Sequence, residues 1–203
     1  YEKPANPVST LASMGIYIFN WKKLKQVLID DSKKEGTMMD FGKHVIPSYL
    51  ENGKGVYAYS YEGYWKDVGT IDSLWETSME FLDPEFELNV YDDAWRIYTR
   101  YQASPPQYLK ENASVKNAMI VDGCIIDGTI ENSVLSQEVK VNTNARVKNS
   151  VIMANVEIEE DAVVEYAIVG EHARIKKGAK VIGSIYVLWW YETKNSNSHS
   201  TCM

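Results

Sequence analysis

The chain has 203 residues, of which 45% are hydrophobic and 24% are charged, and its formal net charge is −7. This length and composition predict a globular protein with one large or two small domains. No apolar run approaches the roughly 18 residues that a membrane-spanning helix needs, so we expect no membrane insertion. The acidic charge argues against a nucleic-acid partner, because binding to a phosphate backbone needs a basic face.

Cysteine usage and the opening residues bear on the compartment. Cys124 and Cys202 are too few and too poorly placed for a disulfide framework, which predicts a reducing, cytoplasmic location. The start, Tyr1-Glu2-Lys3-Pro4, has neither an initiator methionine nor the apolar core of a signal peptide. We therefore expect the sequence to be the middle of a longer chain.

Residues 1–90 are typical of a mixed α/β region. Segments 15–19 and 56–61 are rich in β-branched and aromatic residues, which predicts two strands. Apolar residues at helical spacing predict one helix from Trp21 and a second helix that Thr70 caps. We expect both helices to pack on the sheet that these strands form.

Residues 91–112 show little periodicity and contain Ser104-Pro105-Pro106, which predicts a connector between two domains. Its aromatic residues would be costly to leave in water, so we expect the segment to lie in a groove between the domains. Residues 184–203 differ in composition from everything upstream and are predicted to be an atypical tail.

Segments 133–149, 150–166 and 167–183 align at a 17-residue period without a gap. Within each segment a small or aliphatic residue returns after six, six and then five residues, which indicates three short strands and three corners per coil. We therefore predict a triangular β-solenoid over residues 113–183, with a degraded coil at 118–132. An ordinary meander of strands is the alternative. The aligned columns expected to point inward are Ser133/Ser150/Ala167, Val139/Val156/Ala173, Ala145/Ala162/Ala179, Val141/Ile158/Ile175 and Val147/Val164/Val181.

The segment 63–70 places Asp67 between a predicted strand and a predicted helix, where sites lie in open α/β sheets. A carboxylate there could hold Mg²⁺ together with the phosphates of a nucleotide. A turn or capping aspartate is the structural alternative.

Four motifs occur in order within residues 1–90: Glu2-Lys3-Pro4, Ala12-Ser13-Met14-Gly15-Ile16-Tyr17, Asp40-Phe41-Gly42 and Tyr64-Trp65-Lys66-Asp67-Val68-Gly69-Thr70. With their spacing, the chain resembles the sugar-nucleotide pyrophosphorylases over about residues 1–183. The likeness is closest to the bacterial glucose-1-phosphate adenylyltransferases, also called ADP-glucose pyrophosphorylases. The repeats resemble the hexapeptide-repeat left-handed β-helix. The implied fold class is α/β, an incomplete nucleotidyltransferase sheet domain, followed by that all-β helix.

The resemblance implies a reaction of glucose 1-phosphate with ATP that gives ADP-glucose and pyrophosphate for glycogen synthesis. It also implies roles in binding glucose 1-phosphate for Lys3, which would grip the phosphate, and for Glu2, which would accept hydrogen bonds from sugar hydroxyls. Ser13 would line the same pocket. Asp40 would lie near the sugar, although a helix cap is an equally good interpretation of this residue.

The same resemblance makes Asp67 a catalytic residue and one of two carboxylates that hold Mg²⁺, and lets Trp65 shape the sugar-binding loop. Members of this family also carry a glycine-rich nucleotide loop with an arginine, and the 203 residues contain no counterpart of it. We therefore predict that this polypeptide alone does not transfer adenylyl groups, since nothing in it would cradle the ATP phosphates.

By resemblance the β-helix serves homo-oligomer assembly, as in the family's homotetramers, and allosteric control. Two other functions stay open: a regulatory paralogue without activity, and an acyltransferase with a histidine base. His172 is the one histidine in the repeats, and its column favours a solvated turn residue. His44 is expected to be a packed or surface histidine.

Overall fold

The computed structural model describes residues 11–34, 36, 40–53, 55–99 and 103–188, with the last five as backbone only. The chain divides into two compact units, Tyr1–Trp65 and Lys66–Met203, called the first and second unit below. Within the described residues, no helix has the length and apolar character needed to cross a membrane.

Helices dominate the described part of the first unit. Helix α1 (Trp21–Asp31) begins where the side chain of Asn20 accepts a hydrogen bond from the amide of Lys23, as expected for an N-cap. A π-helical turn (Phe41–Val45) runs directly into helix α2 (Ile46–Glu51). The buried side chains are Val27, Val45 and Tyr49, with Phe19, Leu24 and Leu28 packed against them. The helix predicted from Trp21 is thus confirmed.

The two predicted strands of the first unit are not formed. Residues 15–19 and 56–61 carry no strand hydrogen bonds in the structure, and Ile18 and Tyr57 are 100% and 93% exposed. The sequence prediction failed because strand propensity describes a surface that fits a neighbouring strand, and no described segment pairs with these residues.

The second unit begins with the Asp67 segment and helix α3 (Ile71–Glu80). Thr70 caps this helix and Asp72 lies in its first turn, so the predicted helix is confirmed. Residues 81–99 form turns and irregular structure. Tyr91, Trp95 and Tyr98 are each at least 80% exposed, so the expectation that these aromatic side chains are buried in a groove is wrong.

Residues 108–188 form a parallel β-solenoid of about four turns, which confirms the predicted solenoid and the fold class of an α/β region followed by an all-β domain. One face stacks short strands in the order β1-β3-β5-β8-β10, and the other two faces stack β2, β4, β6 with β7, β9 and β11. Neighbouring coils pair in a 17-residue register, for example Lys140 with Glu157 and Glu157 with Arg174. The strands are β1 (Tyr108–Leu109), β2 (Ser114–Ile120), β3 (Ile125–Ile126), β4 (Thr129–Leu135), β5 (Lys140–Val141), β6 (Arg146–Lys148), β7 (Val151–Ile152), β8 (Glu157–Ile158), β9 (Val163–Val169), β10 (Arg174–Ile175) and β11 (Lys180–Leu188).

Left-handed backbone conformations mark the corners of the coils. Three columns of corner residues have positive φ, and small polar side chains, which tolerate this conformation best, occupy many of these places. The columns are Gly123/Glu138/Asn155/His172, Asn144/Asp161/Gly178 and Asn117/Asn132/Asn149/Tyr166. His172 is therefore an exposed turn residue, as its column predicted.

The columns predicted to point inward form the solenoid core. Ile158, Val147 and Ala162 are examples with at most 1% exposure. Ser133 and Ser150 are fully buried, and each hydroxyl both donates to a carbonyl two residues earlier and accepts an amide of the next coil. Polar atoms are tolerated in this core because each one is hydrogen-bonded.

The degraded coil predicted at 118–132 is confirmed as a coil shortened to 15 residues, since Ala118 pairs with Ser133. The corner that contains Gly128 is the tight one. A Cβ on Gly128 would lie 2.4 Å from the carbonyl oxygen of Ala145, so only glycine fits between these coils. At the other end, the register shifts after Ile182, and Tyr186 pairs with Ala167.

Candidate functional site

Asp67 lies in a tight polar turn at the start of the second unit. Its Oδ1 accepts a hydrogen bond from the amide of Gly69 at 2.9 Å. A Cβ on Gly69 would lie 3.0 Å from the same oxygen, so a side chain at this position would crowd the turn. Asp67 itself is exposed, which leaves its carboxylate accessible to solvent.

The Asp67 turn leads directly into the cap of α3. The Oγ1 of Thr70 accepts the amide of Ser73 at 3.2 Å, and the amide of Thr70 donates to the hydroxyl of Ser73 at 3.2 Å. This reciprocal capping box satisfies two backbone donors at the helix start. The Asp67 turn is therefore followed directly by a well-capped helix.

Lys66 connects the same segment to the far end of α3. Its Nζ lies 2.5 Å from Oε1 of Glu80 and 3.8 Å from Oε2 of Glu76. The segment is thus held against α3 on both sides of Asp67, by the cap on one side and by this ion pair on the other.

Helix α3 packs on the solenoid, and the expectation that it packs on an α/β sheet is wrong. The indole Nε1–H of Trp75 donates to the carbonyl oxygen of Asn149 at 2.9 Å, and its ring lies 6.1 Å from the ring of Tyr166. An indole N–H in a partly buried position usually finds such an acceptor. The acceptor here is Asn149, a corner residue of the solenoid in the left-handed conformation.

Ser13 lies in a polar turn of the first unit. Its hydroxyl accepts the amide of Gly15 at 3.2 Å and lies 3.1 Å from the hydroxyl of Tyr17. The ring of Tyr17 stacks on the ring of Phe41, with centroids 6.2 Å apart and an interplanar angle of 8°. Ser13 is therefore linked through this aromatic pair to the residue that follows Asp40.

Asp40 is the N-cap of the π-helical turn. Its Oδ1 accepts the amide of Lys43 at 2.8 Å, and this bond is the main cause that lowers the pKa of the Asp40 carboxyl below its ordinary value. The cap that the sequence offered as one interpretation is confirmed. A role of Asp40 in sugar binding stays a prediction.

Within the first unit, Ser13 contacts Tyr17, and Tyr17 stacks on Phe41, the residue after Asp40 in the sequence. Sequence reasoning missed these two aromatic residues, although each lies within four positions of a predicted site residue. Trp65 ends the first unit and is partly exposed. Glu2 and Lys3 lie outside the described residues.

The carboxylate of Asp67 is a hard oxygen ligand of the type that Mg²⁺ prefers, and one of its oxygens is already oriented by the Gly69 amide. It fits Mg²⁺ as one ligand of several. No group of three or more histidine, cysteine, aspartate or glutamate residues that could hold a metal occurs among the residues that the structure describes. Further ligands would therefore come from phosphates, water or residues outside this described part.

Two protein-family models match separate parts of the chain. Residues 1–83 match the family model described as "Nucleotidyl transferase". Residues 106–184 match the model described as "GlmU-like, C-terminal hexapeptide". The chain carries a nucleotidyl transferase domain followed by hexapeptide repeats. The first match contains Asp67 and α3, and the second covers the solenoid, which is a left-handed β-helix.

Proposed function

We propose that this chain is the sugar-phosphate-binding part of a glucose-1-phosphate adenylyltransferase. In this reaction a phosphate oxygen of glucose 1-phosphate attacks the α-phosphorus of ATP, and the bond to the leaving pyrophosphate breaks. The observation that carries the proposal is the Asp67 turn, which lies inside the segment that matches the nucleotidyl transferase model. The choice of glucose and adenine rests on the motifs that resemble that enzyme.

For the first unit we propose the sugar-phosphate pocket. Lys3 would pair with the phosphate as a compact cation, and Glu2 would accept from sugar hydroxyls. Ser13 supports this assignment, because its hydroxyl lies 3.1 Å from the hydroxyl of Tyr17, whose ring stacks on the ring of Phe41. Ligand pockets commonly combine such aromatic walls with a few placed polar groups.

For Asp67 we propose that the carboxylate holds Mg²⁺. The bound ion would supply charge neutralisation to the phosphates, which is most of what this chemistry requires from a protein. The Gly69 amide fixes the orientation of one carboxylate oxygen, and the capping box fixes the chain on the C-terminal side. Trp65, two positions earlier, would shape the same loop.

For the left-handed β-helix we propose a role in homo-oligomer assembly. This role rests on the resemblance of the chain to the glucose-1-phosphate adenylyltransferases, in which the β-helix serves subunit contact. His172, the candidate base of an acyltransferase, lies at an exposed corner in the backbone conformation shared by Glu138 and Asn155. This corner position supports a structural role for the histidine. Sedimentation of the chain, which would show an oligomer, tests the assembly role.

The test is turnover by the gene product that contains these 203 residues. We expect Asp67→Asn to lower kcat by roughly 10²-fold or more, because a metal-bound carboxylate stabilises the transition state. The matched control is Asp72→Asn, an exposed aspartate of α3 that should leave kcat within about twofold. Equal rates for wild type and Asp67→Asn would contradict the proposal.

The nucleotide and the sugar are tested in the same assay. We expect ATP with glucose 1-phosphate to be used in preference to UTP, CTP or GTP. Preference for another nucleotide would overturn the adenylyl assignment and leave a sugar-phosphate nucleotidyltransferase. Binding without turnover by the gene product would favour the regulatory paralogue. That the 203 residues alone do not transfer adenylyl groups stays a prediction.

A further inference from the structure

A short series of contacts connects Asp67 to a corner of the solenoid. Asp67 accepts the Gly69 amide, and Thr70, the next residue, caps α3. One turn further along the helix, Trp75 donates to the carbonyl oxygen of Asn149. The hydrogen bonds, the cap and the helix backbone that make up this connection all lie within the second unit.

Asn149, which accepts the hydrogen bond from Trp75, is itself held by several hydrogen bonds. The amide of Asn149 donates to the carbonyl of Glu131 at 3.1 Å, and its side-chain oxygen accepts the amide group of Asn132 at 2.7 Å. Asn132 in turn accepts from Asn117 at 2.9 Å, so these asparagines form a ladder across three coils. The carbonyl that Trp75 uses therefore belongs to a fixed part of the solenoid.

Tyr166 lies where α3 contacts the solenoid. It occupies the ladder column after Asn149, has φ of 54° and is the non-asparagine residue among Asn117, Asn132, Asn149 and Tyr166. A tyrosine in this left-handed conformation is uncommon, because positive φ is sterically unfavourable for a bulky side chain. Its ring instead packs against Trp75 at 6.1 Å. The sequence thus departs from the corner pattern at the place where the helix is anchored.

We propose that Trp75 is a positioning residue for Asp67. The corner formed by Asn149 and Tyr166 fixes α3, and α3 fixes the Asp67 turn through the cap at Thr70 and the ion pair from Lys66. The solenoid is thereby part of the scaffold of the candidate metal site. This inference rests on the proposed function in so far as Asp67 is the metal ligand.

The test is amide hydrogen exchange, measured by NMR on the 203-residue chain. The reporters are the amides of Gly69 and Ser73, which donate to Asp67 and Thr70. Trp75→Phe keeps an aromatic ring and removes the N–H donor. We expect exchange at both reporters to rise about fivefold, the factor typical of one lost hydrogen bond. Amides inside the solenoid, such as Arg146 and Val163, should keep their protection.

A second variant separates positioning from folding. Tyr166→Asn restores the asparagine pattern of the corner, and asparagine adopts the left-handed conformation more readily than tyrosine. We expect unchanged or higher thermal stability of the solenoid together with faster exchange at Gly69 and Ser73. The control is Trp95→Phe, the same substitution at an indole of the second unit that is 83% exposed. Unchanged exchange at both reporters in Trp75→Phe, or an equal rise in the control, would overturn the proposal.

Mn²⁺ titration separates this inference from the metal assignment. Paramagnetic broadening of the Gly69 resonance at millimolar Mn²⁺, absent in Asp67→Asn, supports the metal role, whatever the exchange data show. Faster exchange in Trp75→Phe without that broadening would support the link from the corner to the turn and overturn the metal role of Asp67. Broadening of the Gly69 resonance with unchanged exchange in Trp75→Phe would support the metal role of Asp67 and overturn the link from the corner to the turn.

Discussion

The inner coils of the solenoid bury their inward-facing side chains almost completely, whereas the first unit leaves β-prone side chains in solvent. Ile158 and Val164 have no exposed surface, but Ile18 is fully exposed and Tyr57 is nearly so. The strands of the solenoid find their partners one coil away in the same sequence. Residues 15–19 and 56–61 have no such partner among the described segments. Without a neighbouring strand, their apolar side chains are not covered.

The difference shows that strong β-propensity does not by itself produce a strand in this chain, because a pairing partner is also needed. Stacked repeats stabilise each other through nearest-neighbour contacts, so a substitution inside one coil affects the coils on both sides. The same substitution at an exposed position of the first unit should have almost no effect.

The largest expected effect follows from removing a buried side chain. Ile158→Ala should lower the free energy of unfolding by about 3 kcal/mol, because it removes apolar surface and leaves a cavity between β5 and β10. The matched change in the first unit, Ile18→Ala, should change it by less than about 0.5 kcal/mol. Urea denaturation monitored by circular dichroism measures both. A similar loss of unfolding free energy in the two variants would contradict the difference in burial between the two regions.

A smaller effect is expected at the shortened corner. Gly128→Ala should destabilise the solenoid by roughly 2 kcal/mol, because the added methyl group would overlap the carbonyl oxygen of Ala145. Gly178→Asn is the control, since Asn144 and Asp161 occupy the same corner column and a side chain at Gly178 meets open space. We expect this control to be neutral within about 0.5 kcal/mol. Wild-type stability in Gly128→Ala would show that the shortened coil can accommodate a side chain at this position.

The smallest effect concerns acid sensitivity at the exposed surface of the last coils. The amide of Lys177, followed by Arg174 and Lys176, holds the pKa of the Glu159 carboxyl below its ordinary value. A carboxyl with a lower pKa in the folded state stabilises the fold above its unfolded pKa, and this contribution is lost as the pH falls through the folded pKa. Stability should therefore decline below about pH 4.3, the ordinary glutamate pKa.

Glu159→Gln checks this sign, because the variant should lose less stability than wild type between pH 5 and pH 3. Glu171→Gln, an exposed glutamate of the next coil, is the control and should follow the wild-type curve. Thermal unfolding across this pH range measures the slope. Identical slopes in Glu159→Gln and wild type would mean that the pairing with Lys177 contributes nothing in solution.

The sequence predicted the parts whose pattern and partner lie in the same stretch of chain. The 17-residue period is visible in the sequence because equivalent positions of successive coils, such as Val147 and Val164, are both buried and both apolar. The cap at Thr70 was predictable because a capping box is local. The cap at Asp40 was likewise foreseen as one of two interpretations.

The contacts that cross long sequence distances could not be predicted. Trp75 looked like one member of an apolar helix face, and nothing in its neighbours indicated the carbonyl of Asn149 as its partner. The signal that existed was Tyr166, an aromatic residue in a column of asparagines. The strands at 15–19 and 56–61 were predicted wrongly for the opposite reason, since local propensity was strong and the partner was missing.

The most direct test of the account is a calorimetric titration of the 203-residue chain with glucose 1-phosphate. We expect saturable binding in wild type, and at least about tenfold weaker binding in Lys3→Ala, the loss typical of a charge-assisted hydrogen bond. Lys22→Ala, an exposed lysine of α1, should bind as wild type does. Equal affinity in wild type and Lys3→Ala, or no preference over glucose 6-phosphate, would contradict the assignment of the first unit as a sugar 1-phosphate site.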